Sequence, residues 1–409
     1  MDPEQSEGPR AGLPQPGMLA MLRDAFFIGM IGYGGPTTLD YLQKIFVSKR
    51  GWFTDAEFLD AVGWAQLLPG STGASAMSYL GYRRYGHAGA VAFPAVFLAP
   101  SVTAMLVLSW AYFSYGQLSF VQPLFVGLGA LVVALLLNAT YSLGRAVCRG
   151  GTARIVRGLA IATVTFIGLL VFSMNVLLLI AIAGLLGFAS ARFDRAITTA
   201  EAIEEAPQGP DPMTKGGAGL LPAVLVAGLV VVLLLAPASR ELFVAFFQVG
   251  LLAFGGGFAS VALLQHVAVD QTQWLTFTEF RDGIALGQIT PGPVLITATF
   301  AGFRVGGLVG SLAATVGIFL PPVVLTMLLA DLHGKVKRLP WVQAVLSGLQ
   351  CGFIGLVAAI TVRFGLSSLG TWQTWTIFLL GAVYLRFSQR SPLWAIVGAV
   401  GFSLLFIGH

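Results

Sequence analysis

Charge is scarce in this sequence. Asp, Glu, Lys and Arg make up 10% of the 409 residues, whereas hydrophobic residues make up 56%. Soluble domains carry about 25% charged residues, so this composition excludes an ordinary soluble protein. Apolar runs long enough to cross a bilayer recur along nearly the whole length, which excludes a soluble domain with a single anchor. The sequence therefore predicts an all-α membrane protein that crosses the bilayer many times.

Residues that perform most enzyme and metal chemistry are also few. The two cysteines, Cys148 and Cys351, cannot make a disulfide framework or a cysteine-rich metal site. No HExxH, Walker, GxSxG or CxxC pattern occurs. An integral membrane enzyme, such as a lipid-modifying transferase, would need a convergent set of His, Asp, Glu or Cys side chains. We therefore expect no enzyme activity, no cofactor and no metal, and keep the enzyme only as the weaker alternative.

Thirteen apolar segments are candidate membrane spans. They are 18–40, 55–82, 89–113, 121–143, 155–172, 175–191, 218–237, 241–265, 277–303, 306–330, 341–363, 371–386 and 391–408. A cytoplasmic N-terminus places most of the 23 Lys and Arg residues on the cytoplasmic side, as the positive-inside rule requires. The cluster Lys44, Lys49 and Arg50 runs against this orientation. The net charge of +5 is therefore a topology signal, and we expect no nucleic-acid partner.

The chain contains an internal duplication. The stretch from Phe26 to Val102 is repeated from Phe246 to Val324, and YGGP at 33–36 is matched by FGGG at 254–257. Eight further residues recur at one constant offset: Trp52, Thr54, Glu57, Phe58, Asp60, Gln66, Pro69 and Gly70 are matched by Trp274, Thr276, Glu279, Phe280, Asp282, Gln288, Pro291 and Gly292. The copies begin at the first and the eighth span, and an odd number of intervening crossings makes their orientations opposite. The sequence therefore predicts an inverted repeat with discontinuous helices, as in many secondary transporters.

The duplication also divides the chain into segments. We predict a disordered N-terminal tail (1–17), a first repeat (18–191), a polar cytoplasmic linker (192–217), an adaptor span (218–240) and a second repeat (241–409). The tail is polar and rich in Pro and Gly, and the linker is polar with mixed charge. The adaptor span is what reverses the second half.

The first pair of matched breaks is rich in glycine. Glycine permits dihedrals that other residues avoid, and proline removes a backbone donor. Backbone freed at membrane depth must be buried in protein or line a wet cavity, and the N–H groups of a broken helix bind anions. The alternative is that the glycines only let two helices pack closely. Because both halves carry the break, we favour substrate binding by Gly34, Gly35, Pro36, Gly255, Gly256 and Gly257.

The second pair of matched breaks contains a Pro-Gly dipeptide in each half. Neutral side chains beside it can hold an oxyanion without a permanent counter-charge. The alternative is a proline kink whose freed carbonyls are satisfied by nearby hydroxyls. We favour substrate binding here as well, by Gln66, Pro69, Gly70, Ser71 and Thr72 in the first half and by Gln288, Thr290, Pro291 and Gly292 in the second.

Two matched acidic residues lie near the start of the second span in each repeat. Glu57 and Glu279 follow a threonine by three residues, which fits a helix-capping box and which we prefer to a gating role. Asp60 and Asp282 lie one turn deeper. A carboxylate inside a membrane is costly, so both are hypotheses for proton relay or gating. Arg281 leaves open the alternative of a structural ion pair with Asp282.

Basic residues near the span ends form two matched pairs. Lys44 is matched by His266, and Arg83 and Arg304 occupy equivalent positions. They are candidates for electropositive mouths that attract anions. The alternative, which we place first, is that such side chains simply extend to the membrane interface.

These paired motifs resemble the chromate ion transporter family. The resemblance rests on the YGGP/FGGG pair, the Pro-Gly motifs, the Trp before each capping Thr and an FLxP element in both halves, and it covers roughly residues 18–408. Two homologous halves fused in opposite orientations are typical of the long, two-domain form. Membership implies chromate transport, usually efflux from the bacterial cytoplasm that confers chromate resistance, with sulfate as a chemically similar anion.

The resemblance implies a protein of the bacterial inner membrane. The inverted repeat leads to the hypothesis that the anion binds between the repeats and that access alternates by rocking of one repeat against the other. Sulfate or another oxyanion on the same scaffold is the alternative substrate. Expected partners are chromate, sulfate and membrane lipid, and a homodimer stays open. The halves differ at Tyr33 against Phe254 and at Pro36 against Gly257, so which break contacts the anion is also open.

Overall fold

The computed structural model of the chain describes residues 17–116, 118, 121–147, 152–193, 236–330, 339–388 and 392–407. Helices of the first half are α1 (Met18–Ile31), α2 (Gly34–Leu42) continuing as a π-helix (Gln43–Lys49), α3 (Asp55–Leu67), α4 (Thr72–Tyr115), α5 (Gln122–Val147), α6 (Thr152–Leu170) and α7 (Val176–Phe193). Helices of the second half are α8 (Pro237–Leu252), α9 (Val261–Gln265) continuing as a π-helix (His266–Gln271), α10 (Phe277–Ile289), a 3-10 turn (Val294–Ile296), α11 (Thr297–Leu329), α12 (Pro340–Ser368), α13 (Trp372–Phe387) and α14 (Leu393–Phe406). Almost all of the predicted tail and linker, and most of the adaptor span, lie outside the described residues.

The fold is that of a polytopic helical membrane protein, as predicted. Within the described residues, five helices are long and apolar enough to cross a membrane: Thr72–Tyr115, Gln122–Arg145, Thr152–Leu170, Val294–Leu329 and Pro340–Ser368. Shorter apolar helices accompany them at Val176–Ser190 and Leu393–Phe406. Large apolar side chains point outward, as at Leu366 (82% exposed) and Phe387 (78% exposed). Apolar surface of this extent is stable where lipid covers it.

The predicted span 55–82 reverses midway, at Leu68–Ser71. The Tyr79 hydroxyl donates to Asp60 Oδ2 over 2.6 Å, and the rings of Trp64 and Tyr79 are 5.8 Å apart. Residues on either side of the turn therefore lie next to each other. α3 has 13 residues, which is about 20 Å of helix and too short for a hydrocarbon core of about 30 Å. We call α3 and residues 72–85 the first Pro-Gly hairpin.

α4 is not one straight helix, because the chain folds back at Gly86. That glycine has φ 62° and ψ −147°. Ser78 Oγ donates to Ala90 O over 2.8 Å although the two residues are 12 apart in sequence, a separation of about 18 Å in a straight helix. The chain then continues as residues 87–115, the first long arm, which is long enough to cross the membrane.

The second half repeats this course. α11 folds back at Gly306–Gly307, where Ser311 Oγ donates to Thr299 O over 3.0 Å. We call α10 and residues 297–305 the second Pro-Gly hairpin, and residues 308–329 the second long arm. Both fold-back points lie close to the predicted boundaries between neighbouring spans.

The first and eighth predicted spans, 18–40 and 241–265, reverse as well. Arg50 donates to both carboxylate oxygens of Asp24 over 2.8 and 3.1 Å, which requires the chain to turn back after α1. In the second half the rings of Phe246 and Trp274 are 5.9 Å apart. Glycine-rich breaks in the middle of these apolar segments are the reason, since apolar length alone does not distinguish a crossing from a hairpin.

Small residues let the helices around the hairpins approach closely. α1 packs on the first long arm, where a Cβ on Gly29 would overlap the carbonyl of Phe97, and α8 packs on the second long arm, where Gly250 meets the carbonyl of Ile318. Outside this core, α12 packs on α6, α7 and α5, and α13 and α14 pack on α5.

Candidate functional site

Four interruptions of the helices meet one another. They are the tips of the two Pro-Gly hairpins (68–71 and 290–293) and the two glycine breaks (32–36 and 253–257), which we call the tip cluster. The Gly70 N–H donates to Ala253 O over 2.9 Å, and the Gly292 N–H donates to Gly32 O over 2.7 Å. Each hairpin tip is therefore hydrogen-bonded to the glycine break of the other half.

Glycines give the tip cluster its backbone course. φ is positive at Gly34 (74°), Gly70 (99°), Gly255 (92°), Gly256 (91°) and Gly292 (113°). Side chains are strongly disfavoured in this region of dihedral space. The two matched breaks predicted from sequence thus share one conformational requirement, and the structure brings them together.

Helix starts face the tip cluster from both halves. α2 begins at Gly34, with Gly35 and Pro36 in its first turn. α4 begins after Ser71, whose side chain accepts from the Ala74 N–H. In the second half the 3-10 turn begins at Val294 and runs into α11. Helix starts carry N–H groups without intrahelical partners and the positive end of the dipole, which favours anions.

The polar side chains predicted for this site are placed unequally. Ser71 is buried (5% exposed), and Thr72 Oγ1 lies beside Gly256. Thr290 Oγ1 donates to Gly287 O over 2.9 Å, so that hydroxyl is already used as a donor. Gln66 is exposed and Gln288 is partly buried.

The two predicted capping boxes are confirmed. Thr54 caps α3 and Thr276 caps α10, and the side chains of Glu57 and Glu279 each bond back to the capping residue. Glu279 also accepts from Arg304 Nε over 3.3 Å.

The two deeper aspartates are both held by tyrosines. Asp60 accepts from the Tyr79 hydroxyl. Asp282 is 4% exposed and accepts from Arg281 Nε and Nη2 over 3.1 and 3.0 Å and from the Tyr112 hydroxyl over 2.9 Å. The ion pair between Arg281 and Asp282, which the sequence left open as an alternative, is therefore present. Sequence reasoning missed both tyrosines, and no spacing signals Tyr112, which is 170 residues from Asp282.

The four basic candidates for a mouth have different surroundings. Lys44 is exposed, Arg83 is partly buried over the Tyr79 ring, and Arg304 is exposed over the Phe113 ring. His266, matched with Lys44 by sequence, is 9% exposed, so it faces the interior and not a mouth.

A cavity opens beside Arg304, at the end of the second Pro-Gly hairpin opposite its tip. We call this end of each hairpin its base. Its volume is about 280 Å³, and its lining consists of Tyr112, Phe113, Glu279, Phe303 and Arg304. Of the two ends of the first long arm, the cavity lies at the one distant from Gly86. It is therefore separate from the tip cluster.

Interrupted helices that meet at a partly buried, glycine-lined cluster inside a polytopic helical protein define a membrane transport protein. The chain belongs to the chromate transporter family, whose sequence profile matches residues 19–188 and, separately, 240–404. The predicted family resemblance is thereby confirmed.

Individual relatives support this membership. The chain is 31% identical to a chromate transport protein of Cupriavidus metallidurans, over 91% of this chain and 89% of the relative. It is also 31% identical to an uncharacterized transporter of Methanocaldococcus jannaschii, over 90% of each. An uncharacterized transporter of Bacillus subtilis is 25% identical over 42% of this chain and 98% of its own length. No solved structure matches the chain.

Proposed function

We propose that this protein is a secondary active transporter that exports chromate across the cytoplasmic membrane and so confers chromate resistance. The observation that carries the proposal is the reciprocal pairing of the tip cluster, in which Gly70 bonds to Ala253 and Gly292 bonds to Gly32. This pairing joins helix starts of both halves at one partly buried place, in a chain of the chromate transporter family. The proposed activity is transport of the anion and includes no chemical reaction.

The anion-binding residues we propose are the predicted residues of the tip cluster, Gly34–Pro36, Pro69–Thr72, Gly255–Gly257 and Thr290–Gly292, with Gln66 and Gln288 at its edge. Backbone N–H groups and hydroxyls at the helix starts would hold a tetrahedral dianion without a fixed counter-charge. Rocking of one half against the other would break the reciprocal hydrogen bonds and alternate access.

We propose that the two halves form an inverted repeat. The first long arm supports this: it begins at the base of the first Pro-Gly hairpin, where Arg84 bonds to the carbonyl of Trp52. Its other end, at Phe113, meets Arg304 at the base of the second. The two hairpins therefore enter from opposite ends of one membrane-crossing helix. Two predicted spans in each half are hairpins that do not cross the membrane. The number of crossings between the start of one copy and the start of the other therefore falls by an even number and stays odd, so the copies keep opposite orientations.

The hairpin course also supports a cytoplasmic N-terminus. Lys49 and Arg50 follow the return arm after α1 and lie on the side of the membrane that carries Arg83 and Arg84. The basic cluster that ran against the positive-inside rule thus joins the basic side. An inner-membrane location and the division into two repeats with a linker and an adaptor are part of the same proposal, and the two separate family matches support the division.

Export needs no large additional energy source. An inside-negative potential favours expulsion of a dianion by about 4.6 kcal/mol per 100 mV, twice the value for one charge. Proton coupling through Asp60 or Asp282 would therefore be an addition to the potential and not a requirement.

Sulfate is the second candidate substrate. Backbone N–H groups and neutral hydroxyls recognise the charge and shape of a tetrahedral dianion, and both chromate and sulfate have these. Discrimination would depend on small differences in size.

The test is uptake of chromate into everted membrane vesicles, with and without a lumen-positive potential, and with sulfate as competitor. Potential-driven chromate uptake that resists excess sulfate supports chromate export. Saturable sulfate uptake without chromate uptake replaces the substrate and keeps the site. Absence of both, with protein present in the vesicles, contradicts the proposal.

A further inference from the structure

The first long arm carries a serine that faces the tip of the second Pro-Gly hairpin. Ser101 is 1% exposed, and its Oγ has no hydrogen-bond partner among the described residues. A Cβ on Gly292 would overlap this oxygen, so the hydroxyl lies directly against the tip cluster. An unsatisfied buried hydroxyl is costly and calls for an explanation.

Two other buried hydroxyls on the long arms are satisfied by the carbonyl one turn earlier. Ser109 donates to Met105 O over 2.7 Å, and Thr326 donates to Pro322 O over 2.8 Å. The corresponding acceptor for Ser101 is Phe97 O, which Gly29 of α1 approaches so closely that a Cβ there would overlap it. The usual local bond is thus not made, and the Ser101 hydroxyl is available to a ligand.

The two halves differ at this position. Pro322 is in the equivalent place on the second long arm, because Gly70 packs on its ring as Gly292 packs on Ser101, so the tip of the first hairpin meets an apolar ring. Of the other buried hydroxyls without a described partner, Ser403 lies against Gly127, outside the tip cluster, and no contact places Ser75 against a tip glycine. The hairpin tip at Gly292 therefore meets a polar side chain of a long arm, whereas the tip at Gly70 meets an apolar one.

We propose that the Ser101 hydroxyl donates a hydrogen bond to the transported oxyanion, which binds on the Gly292 side of the tip cluster. This rests on the proposed function and assigns the anion to one of the two related positions. The helix start at Gly34 is close to this place, because Tyr33 and Gly292 form a β-bridge. A charge-assisted hydrogen bond is the interaction that a hydroxyl makes best with an oxyanion.

The test compares Ser101→Thr with Ser101→Val. These side chains have the same shape and differ in the hydroxyl, so their comparison separates hydrogen bonding from packing. Ser109→Ala, which removes a satisfied buried hydroxyl from the same helix, is the control. Chromate and sulfate binding to purified full-length protein is measured by equilibrium dialysis with labelled anions, together with vesicle uptake and thermal unfolding.

We expect Ser101→Val to raise the Kd of the transported anion about tenfold, with Ser101→Thr and Ser109→Ala close to the unsubstituted protein. Equal Kd values for Ser101→Val and Ser101→Thr overturn the assignment of Ser101 and leave the proposed function standing. If the unsubstituted protein binds neither chromate nor sulfate, the proposed function falls and this assignment falls with it.

Discussion

Individual glycines decide where the chain can turn inside the membrane. Gly255 has φ 92° and lies in the tip cluster, whereas Gly51 has φ 60° and lies in a turn with open space around it. A side chain at either position meets the same kind of backbone strain. Only at Gly255 would it also enter the space proposed for the anion, so the two glycines form a matched pair.

We expect Gly255→Leu to abolish chromate uptake while folded protein remains, because the leucine occupies the tip cluster. Gly51→Leu should retain most uptake despite similar strain. Uptake into vesicles and size-exclusion profiles in detergent measure the two effects. Normal uptake by Gly255→Leu would count heavily against the tip cluster as the site.

Asp282 illustrates how a single residue can have two interpretations. Its carboxylate is paired with Arg281, whose side chain is 12% exposed. Removing one partner of a buried ion pair leaves the other charge uncompensated, at a cost of about 3–5 kcal/mol.

We therefore expect Asp282→Asn to lower thermal stability strongly, and the double variant Arg281→Gln/Asp282→Asn to recover most of the stability together with potential-driven uptake. Unfolding in detergent and vesicle uptake are measured on the same preparations. A double variant that is stable but does not transport would show instead that Asp282 is a coupling group.

At the scale of elements, the breaks were predictable and the reversals were not. The Pro-Gly and glycine motifs and the capping boxes follow from local backbone chemistry, so sequence places them correctly. Segment 55–82, in contrast, is long enough to cross and was predicted to do so. Its reversal depends on contacts such as Asp60 with Tyr79 and Gly70 with Ala253, which join residues far apart in sequence.

The capping boxes give a prediction about Glu57 and Glu279. Glutamine preserves a capping box but removes the charge. We expect Glu57→Gln and Glu279→Gln to keep stability and transport, whereas Thr54→Ala and Thr276→Ala should each lower the free energy of unfolding by about 1 kcal/mol. Thermal unfolding and uptake are again compared. Loss of transport in a stable glutamine variant would assign that glutamate a gating role.

The whole molecule is organised by the relation between its halves. The reciprocal hydrogen bonds at the tips, and the hairpins that enter from opposite ends of the first long arm, both follow if the halves are inverted. Inversion also explains how similar sequences can build one shared site, since each half supplies a tip to the glycine break of the other. The difference between Ser101 and Pro322 then makes the proposed site asymmetric, so inversion need not imply two anions.

The inverted arrangement can be tested with two equivalent exposed positions. Ala56 and Thr278 each lie at the start of their Pro-Gly hairpin, just after the capping threonine, and both are exposed. In a variant without Cys148 and Cys351, we expect a membrane-impermeant maleimide to label Thr278→Cys in intact cells and Ala56→Cys in everted vesicles, because the hairpin bases face opposite sides. The reverse pattern would place the N-terminus outside and keep the inversion. Labelling of both positions from the same side would remove the inverted repeat, and with it the alternating-access mechanism that depends on two opposed tips.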